Sequence, residues 1–343
     1  MVAESGRRAF IGSYTAAGGP GIVVAAVADD GGGLTVLGGA DGLPDPSYLA
    51  LSPDGRTLYA VSETTDGAVA AYRLDGDKPE PAGPRVAVGG GPTHLGLYDG
   101  HLLTADYGSG SVTAVPVRAD GTLAPAASGV LRHTGSGPHN RRQQAPHAHQ
   151  VQSDPSGRWA VSVDLGTDSV RVCTLAGGVP VLHREYALRP GSGPRHLTFH
   201  PSGAYAYVVN ELTPTVTVCR WDAAEGVLTP LGETPVLPGA PAGDAYPSGI
   251  VASPDGRHVW TATRGEDVLS VLAVEAGGAE LRLVGTVPCG GHWPRALTEA
   301  DGVLYVANER SGDITWFALE PATGLPRRAG SLALPAASCV LVG

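Results

Sequence analysis

Short apolar runs rich in Val, Leu, Ala and Tyr recur along the chain in pairs, and a polar turn carrying glycine separates the members of each pair. The pattern is plainest in PSYLALSPDGRTLYAVSE from Pro46 and in PRHLTFHPSGAYAYVVNE from Pro194. In each, a proline leads an apolar strand, a PDG- or PSG-type turn follows, and a second apolar strand runs back. This is the grammar of a β-hairpin. A third strand of the VAAYRL type comes next. Further proline-led strands start at Pro92, Pro146, Pro247, Pro294 and Pro335, with successive prolines 41 to 54 residues apart. Periods of that size, filled by strands, predict an all-β β-propeller in which each repeat is one four-stranded antiparallel blade.

The ends of the chain complete the count. FIGSYT near Phe10 reads as a second strand with no proline-led strand before it, whereas PAASCVLVG from Pro335 is a proline-led strand with nothing after it. Joined in one blade, they close a ring of seven and leave no open edge. Residues 1–343 are therefore expected to form a single domain. No long amphipathic helical pattern separates the strands, which disfavours a βαβ fold. One segment breaks the repeat: GVLRHTGSGPHNRRQQA, Gly129 to Ala145, reads as a long loop before PHAH. It carries Arg142 and Gln144 as candidate ligand-gripping residues.

Composition narrows the function. With 50 glycines and 29 prolines spread over turns, the chain reads as many short strands and not as disorder. Its net charge is −10 and Lys78 is its one lysine, so nucleic-acid binding through a basic surface is not expected. Four cysteines lack C-x-x-C spacing, and Cys173 and Cys219 fall at matching places in repeated strands, which predicts buried free thiols. MVAESGRRAF has no apolar signal core and no run is long enough to span a membrane, so a soluble cytoplasmic protein is expected.

Register locates the candidate site. Counting back from each turn glycine aligns Ser47, Thr93, His149, Arg195, Ser248 and Arg295 at the starts of the first strands. Counting forward aligns Glu63, Glu211, Arg264 and Glu309 at the ends of the second strands. Both ends of a hairpin emerge on one rim of the sheet, so these residues are expected around one mouth of the central channel. His149, Arg195, Glu211 and Arg264 then combine an imidazole, a carboxylate and two guanidinium groups, a set suited to an anionic substrate. Arg295 and Glu63 extend it as substrate-binding candidates, and His147, alternating with His149, either supports it or faces the blade interior. His196 and His200 read as packing or turn residues. No carboxylate or cysteine completes a metal set with PHAH, no G-x-S-x-G elbow is present, and Lys78 sits in a polar turn. Cofactor-free hydrolysis or proton transfer remains.

The chain resembles the lactonase family of seven-bladed propellers, which includes cycloisomerase-type 6-phosphogluconolactonases and fungal 3-carboxymuconate lactonizing enzymes. The likeness rests on GSYT at Gly12, ADYGSGSV, RQQAPHAH, DLGTDSV, GSGPRHLTFHPSG followed by NEL, SPDGRHVWTATRGED and GGHWPRAL. The functional residues of the muconate branch fall on His149, Arg195, Glu211 and Arg264. Where many relatives carry an acidic residue, as in AEI, this chain has Gly249.

The resemblance implies a carboxylic-ester hydrolase opening an anionic sugar lactone, with 6-phosphogluconolactone first among candidates and a role in carbohydrate metabolism through the pentose phosphate pathway. Glu211 or His149 would act as general base and Arg195 and Arg264 would stabilise the oxyanion and hold the anion. The alternatives are a cycloisomerase of the carboxymuconate type and a non-catalytic propeller serving as an interaction platform. The expected partner is the small-molecule lactone, with no nucleic acid, membrane or cofactor, and no oligomeric state is specified.

Overall fold

The computed structural model describes residues 6–29 and 31–343. They form seven antiparallel sheets arranged as the blades of a propeller. Blade 1 places Ala337–Val342 innermost, followed outward by Arg8–Ser13, Ile22–Val27 and Leu34–Ala40, so the two ends of the chain share a sheet as expected. Phe10 pairs with Leu341 and Ile11 with Val340. Blade 2 runs from Leu49–Leu51 through Thr57–Ser62 and Ala68–Arg73 to an outer edge split between Glu80–Pro81 and Val86–Ala87.

Blades 3 to 7 start at the inner strands Pro92–Tyr98, Ala148–Ser153, Pro194–Phe199, Tyr246–Ala252 and Pro294–Ala300. Their second strands are His101–Asp106, Ala160–Asp164, Tyr205–Asn210, His258–Arg264 and Val303–Asn308. Gly129–Arg132, read from the sequence as the start of a loop, is instead the outermost strand of blade 3. It pairs with Ser111–Ala114, so the true insertion begins after Arg132.

Second strands are buried on both faces, as all six residues of Thr57–Ser62 and all seven of His258–Arg264 show. The reason is that each blade packs against two neighbours. Seven apolar clusters lie between successive blades: Val161, Val163, Val208 and Trp221 join blades 4 and 5, and Ala9, Ile11, Tyr305 and Ile314 join blades 1 and 7. All four cysteines are free and buried, as expected. Among the described residues helix is limited to the turns Thr15–Ala17 and Ala276–Gly278, and none there is long and apolar enough to cross a membrane.

Two local features aim side chains into the channel. The hairpin turns close through glycines in the left-handed region, Gly55, Gly203 and Gly256 at φ 70° to 72°, which a Cβ would strain. They fix the register from which the two rims are counted. In addition, the inner strands of blades 1, 3, 4, 5 and 7 bulge at the residue following their first paired position, and that of blade 6 bulges one pair later. Pro194 pairs with Asn210 and His196 with Val209, leaving Arg195 as the extra residue. His149, Arg295 and Thr93 are extra in the same way. A bulge frees one side chain from the alternation of the strand and re-aims it.

Candidate active site

The seven bulge-level positions, Ser338, Ser47, Thr93, His149, Arg195, Ser248 and Arg295, and the seven second-strand ends interleave at one mouth of the channel. Cross-blade hydrogen bonds link the first ring. Thr93 Oγ1 donates to the His149 carbonyl at 3.2 Å, Arg195 Nη1 to the Ser248 carbonyl at 2.7 Å, and Ser248 Oγ to the Pro294 carbonyl at 2.6 Å.

Glu211 is the centre of the charged group. Arg142 Nη2 donates to its Oε1 at 2.6 Å, while Arg264 Nη2 and Arg195 Nε lie 2.9 and 3.1 Å from its Oε2. Arg195 and Glu211 are each 2% exposed and Arg264 is 6% exposed, so this is a buried network and not a solvated rim. Burial alone would raise the Glu211 carboxyl, but Arg264, Arg195 and Arg142 together hold it well below the carboxylate range. Arg195 is pushed down to about 9, first by burial and then by Arg264. Its Nε, though close to Glu211, makes no hydrogen bond in line with the oxygen and is left with a free N–H. Three guanidinium groups against one carboxylate leave an excess of two positive charges, in a chain whose net charge is −10.

His149 sits beside this network at 5% exposure. Its ring packs edge-on against Tyr107 and His196 at 5.5 and 5.1 Å, and its Nδ1 has no hydrogen-bond partner. Burial and then the Arg195 charge hold its pKa well below the usual imidazole value, so it is neutral at physiological pH. His149 keeps a ring nitrogen with no partner, whereas both carboxylate oxygens of Glu211 are occupied by arginines, so the imidazole is the group left open to take a proton.

Arg142 reaches the site from the insertion after blade 3, whose shape is fixed by its neighbour Gln143. The buried Gln143 amide donates to Asp168 Oδ1 at 2.7 Å and to the Leu165 carbonyl at 2.8 Å. Asp168 in turn accepts from the backbone N–H groups of Gly191 and Gly193, just ahead of Arg195. Gln144, the residue singled out from the sequence, is exposed and donates to the Asn140 carbonyl of its own loop. The structure does not bring it to the charged group, because the clamp takes its neighbour inward. His147 stacks on Tyr107 at 4.3 Å, with Nδ1 2.9 Å from the Tyr107 carbonyl. Arg295 lies across the mouth, 3.5 Å from Glu63 and 3.4 Å from Glu309, over the Tyr14 ring.

Several channel residues were missed by the sequence reading. Tyr14 and Tyr107 end second strands at the level of Glu63 and Glu211, so the same count carried through every blade finds them. His94, His196 and Tyr48 occupy the level just below the bulge. His94 packs on Tyr48 at 4.0 Å and on His196 at 5.4 Å. His196 is buried as a packing residue would be, but in the channel and not in a blade core. His200 does serve the turn, with Nδ1 2.8 Å from Ser202 Oγ. At Gly249, on the same lower level, an added Cβ would approach Leu297 N to 3.1 Å, so glycine lets blade 6 close tightly on blade 7.

No group of three His, Cys, Asp or Glu side chains among the described residues is placed to hold a metal ion. A cleft of about 590 Å³ opens at the opposite, turn-bearing face among blades 2, 3 and 4. It holds none of the charged group, and the hydroxyls of its Tyr59 and Tyr98 are already bound to the Gly121 and Arg158 carbonyls.

Residues 8–342 match the family model described as lactonase, 7-bladed beta-propeller. A 6-phosphogluconolactonase of Bacillus subtilis is 32% identical over 339 residues, spanning 96% of this chain and 97% of its own. A 6-phosphogluconolactonase of Formosa agariphila is 29% identical over 333 residues, spanning 92% and 93%. The solved structure of a periplasmic gluconolactonase of Pseudomonas aeruginosa superimposes with a TM-score of 0.90 at 30% identity, covering 98% of each chain.

Proposed function

The chain belongs to the lactonase family of seven-bladed β-propellers, and from that premise we propose that it hydrolyses an anionic sugar lactone of the 6-phosphogluconolactone type. The observation that carries the proposal is the buried excess of two positive charges around Glu211 with a neutral imidazole beside it. A cation-rich pocket with little access to water is stabilised by an anionic ligand, and guanidinium forks suit phosphate or carboxylate.

In this reading Arg142 and Arg264 hold the phosphate, and His147 supports the site by stacking on Tyr107. His149 takes a proton from water as the water oxygen attacks the lactone carbonyl, and the free N–H of Arg195 meets the developing oxyanion. Collapse of the tetrahedral intermediate breaks the ring C–O bond. The imidazolium returns its proton to the leaving ring oxygen, giving the open-chain acid after ionisation. Glu211 stays ionised throughout and fixes the three guanidinium groups. Arg295 and Glu63 complete the mouth.

We place this activity in the cytoplasm, within the pentose phosphate pathway, because a phosphorylated lactone does not cross membranes and free cysteines suit a reducing compartment. The described residues form one ring of blades, and we treat residues 1–343 as one domain. The test is hydrolysis of 6-phosphogluconolactone and glucono-lactone in ¹⁸O-water, corrected for spontaneous ring opening. Turnover above background, with solvent oxygen in the product and preference for the phosphorylated ring, is expected. Enzyme-dependent ring opening without solvent oxygen would point to a cycloisomerase, and no acceleration with any lactone would overturn the hydrolase reading.

A further inference from the structure

The mouth has two unlike halves. Blades 4 to 6 present the cation-rich group around Glu211. Blades 7, 1 and 2 present Arg295 between Glu63 and Glu309, one positive charge against two negative. Tyr14 OH donates to Glu63 Oε2 at 2.8 Å, and Arg295 lies 3.4 Å from Glu309 Oε2. Arg295 is only loosely bound to each acid, and all three side chains keep 18% to 25% exposure. Their acceptor oxygens are therefore reachable from the channel.

The same half contains two buried hydroxyls with nothing to bond. Ser47 Oγ and Ser338 Oγ, 3% and 2% exposed, have no hydrogen-bond partner. They stand in blades 2 and 1 at the level where blades 4 and 5 carry His149 and Arg195. Ser338 is the extra residue of its bulge, between the Gly12–Cys339 and Ser13–Ala337 pairs. Buried hydroxyls are normally satisfied, and Ser47 stands beside Glu63, the backbone N–H groups of both donating to the Asp45 carbonyl.

We infer that this half is a polyol subsite: Glu63, Glu309, Ser47 and Ser338 bind the ring hydroxyls of the substrate, while the opposite half takes its anionic group. The inference rests on the hydrolase reading for the substrate's identity but on its own residues for the binding. Hydroxyl groups donate to the carboxylates and both donate to and accept from the serines. An anion is repelled by the surplus negative charge there. The substrate thus enters in one orientation, with its phosphate toward Arg142 and Arg264.

Calorimetric binding of two non-reacting probes, glucitol 6-phosphate and inorganic phosphate, separates the halves. Glu63→Gln and Glu309→Gln remove a repulsive charge, so inorganic phosphate binds equally well or more tightly. Glucitol 6-phosphate, losing a charged acceptor, binds about tenfold more weakly, which one hydrogen bond to a charged group accounts for. Ser47→Ala breaks no hydrogen bond within the protein and keeps the fold intact. It is expected to weaken glucitol 6-phosphate binding about fivefold, leave phosphate unchanged and keep the melting temperature. If glucitol 6-phosphate tracks phosphate in all three variants, the subsite is refuted even where lactone turnover stands. If the two probes diverge as described while no lactone is hydrolysed, the subsite stands and the hydrolase reading falls.

Discussion

Replacing Glu211 by glutamine keeps the size of the side chain and removes the one negative charge that three arginines share. Arg142 keeps 34% of its side chain exposed and can turn to water, so its loss counts for little. Arg195 and Arg264, at 3% and 8% side-chain exposure, cannot. Both lie on Oε2, so a glutamine oxygen there can still accept from them while its amide N–H₂ faces Arg142, but the negative charge that balanced the two buried guanidinium groups is gone. Removing one partner of a buried pair costs about 3–5 kcal/mol. Unfolding entropy of roughly 2.1 cal/mol/K per residue over 343 residues is about 0.7 kcal/mol/K. A loss near 4 kcal/mol then lowers the melting temperature by about 6 °C.

The variant also tests the electrostatic account directly, because the pocket now holds an excess of three positive charges. Inorganic phosphate at about 100 times its dissociation constant adds roughly 2.7 kcal/mol of stability, which restores about 4 °C. It should raise the melting temperature of the variant more than that of the wild type. Differential scanning calorimetry in chloride and in phosphate buffers gives both numbers, and lactone kinetics on the same preparations are expected to show kcat/KM down by about 10²–10³, as for a lost preorganised donor. A melting temperature within 1 °C of wild type in chloride would refute the role of Glu211 as the clamp of this network.

Arg195→Lys keeps the charge but not the fork, and it also loses the bond to the Ser248 carbonyl. Lactone kcat/KM should fall by roughly 30- to 150-fold, about 2–3 kcal/mol, and unchanged turnover would take Arg195 out of the mechanism. Gln143→Ala unties the insertion from Asp168, so KM for the phosphorylated lactone should rise about tenfold with kcat held within about threefold, because Arg142 and not the reacting group is displaced; a matching loss in kcat alone would contradict this. His94, His149 and His196 are held neutral below the ordinary imidazole value by burial and by Arg195, His94 down to about 3. The unfolded chain binds protons below about pH 6.5 that the folded one refuses, so stability is full above that pH and is lost as pH falls, by up to about 1.4 kcal/mol per unit for each histidine. Asp106, raised to about 6 by burial, opposes one of the three between about pH 4 and 6. Denaturant titrations from pH 7.5 to 4.5 should show the slope, and His94→Asn should flatten it.

How much of this was legible follows from what each feature depends on. The blades were readable because a hairpin is local: apolar alternation, a glycine turn and a proline fix it within about twenty residues. Ring closure was readable because Phe10 and Leu341 belong to complementary half-blades, and only one pairing satisfies both. Burial of Arg195 at 2% was not readable, since a charged residue at a strand end is ordinarily solvated. It is buried here because six other strand ends crowd the same mouth, a property of the closed ring and not of the hairpin. Arg142 shows the same limit. Its loop was visible as a break in the repeat, but Gln143 and Gln144 look alike in sequence, and only the position of Asp168 decides which turns inward.

In a regular strand, His147 and His149 would point to the same face, and the sequence left open whether His147 supports the site or faces the blade interior. The extra residue between Ala148 and Gln150 breaks that alternation: His149 enters the channel beside Arg195, while His147 stacks on Tyr107. Repetition of the bulge around the ring gives this fold a set of channel-facing positions whose side chains are released from packing duty in their own blade. Chemistry can then be written at that level, histidine and arginine in blades 4, 5 and 7, serine or threonine in the others, without disturbing the strand that bears it. The half-mouths of opposite charge are a direct consequence, because each blade contributes its bulge residue and its second-strand end independently.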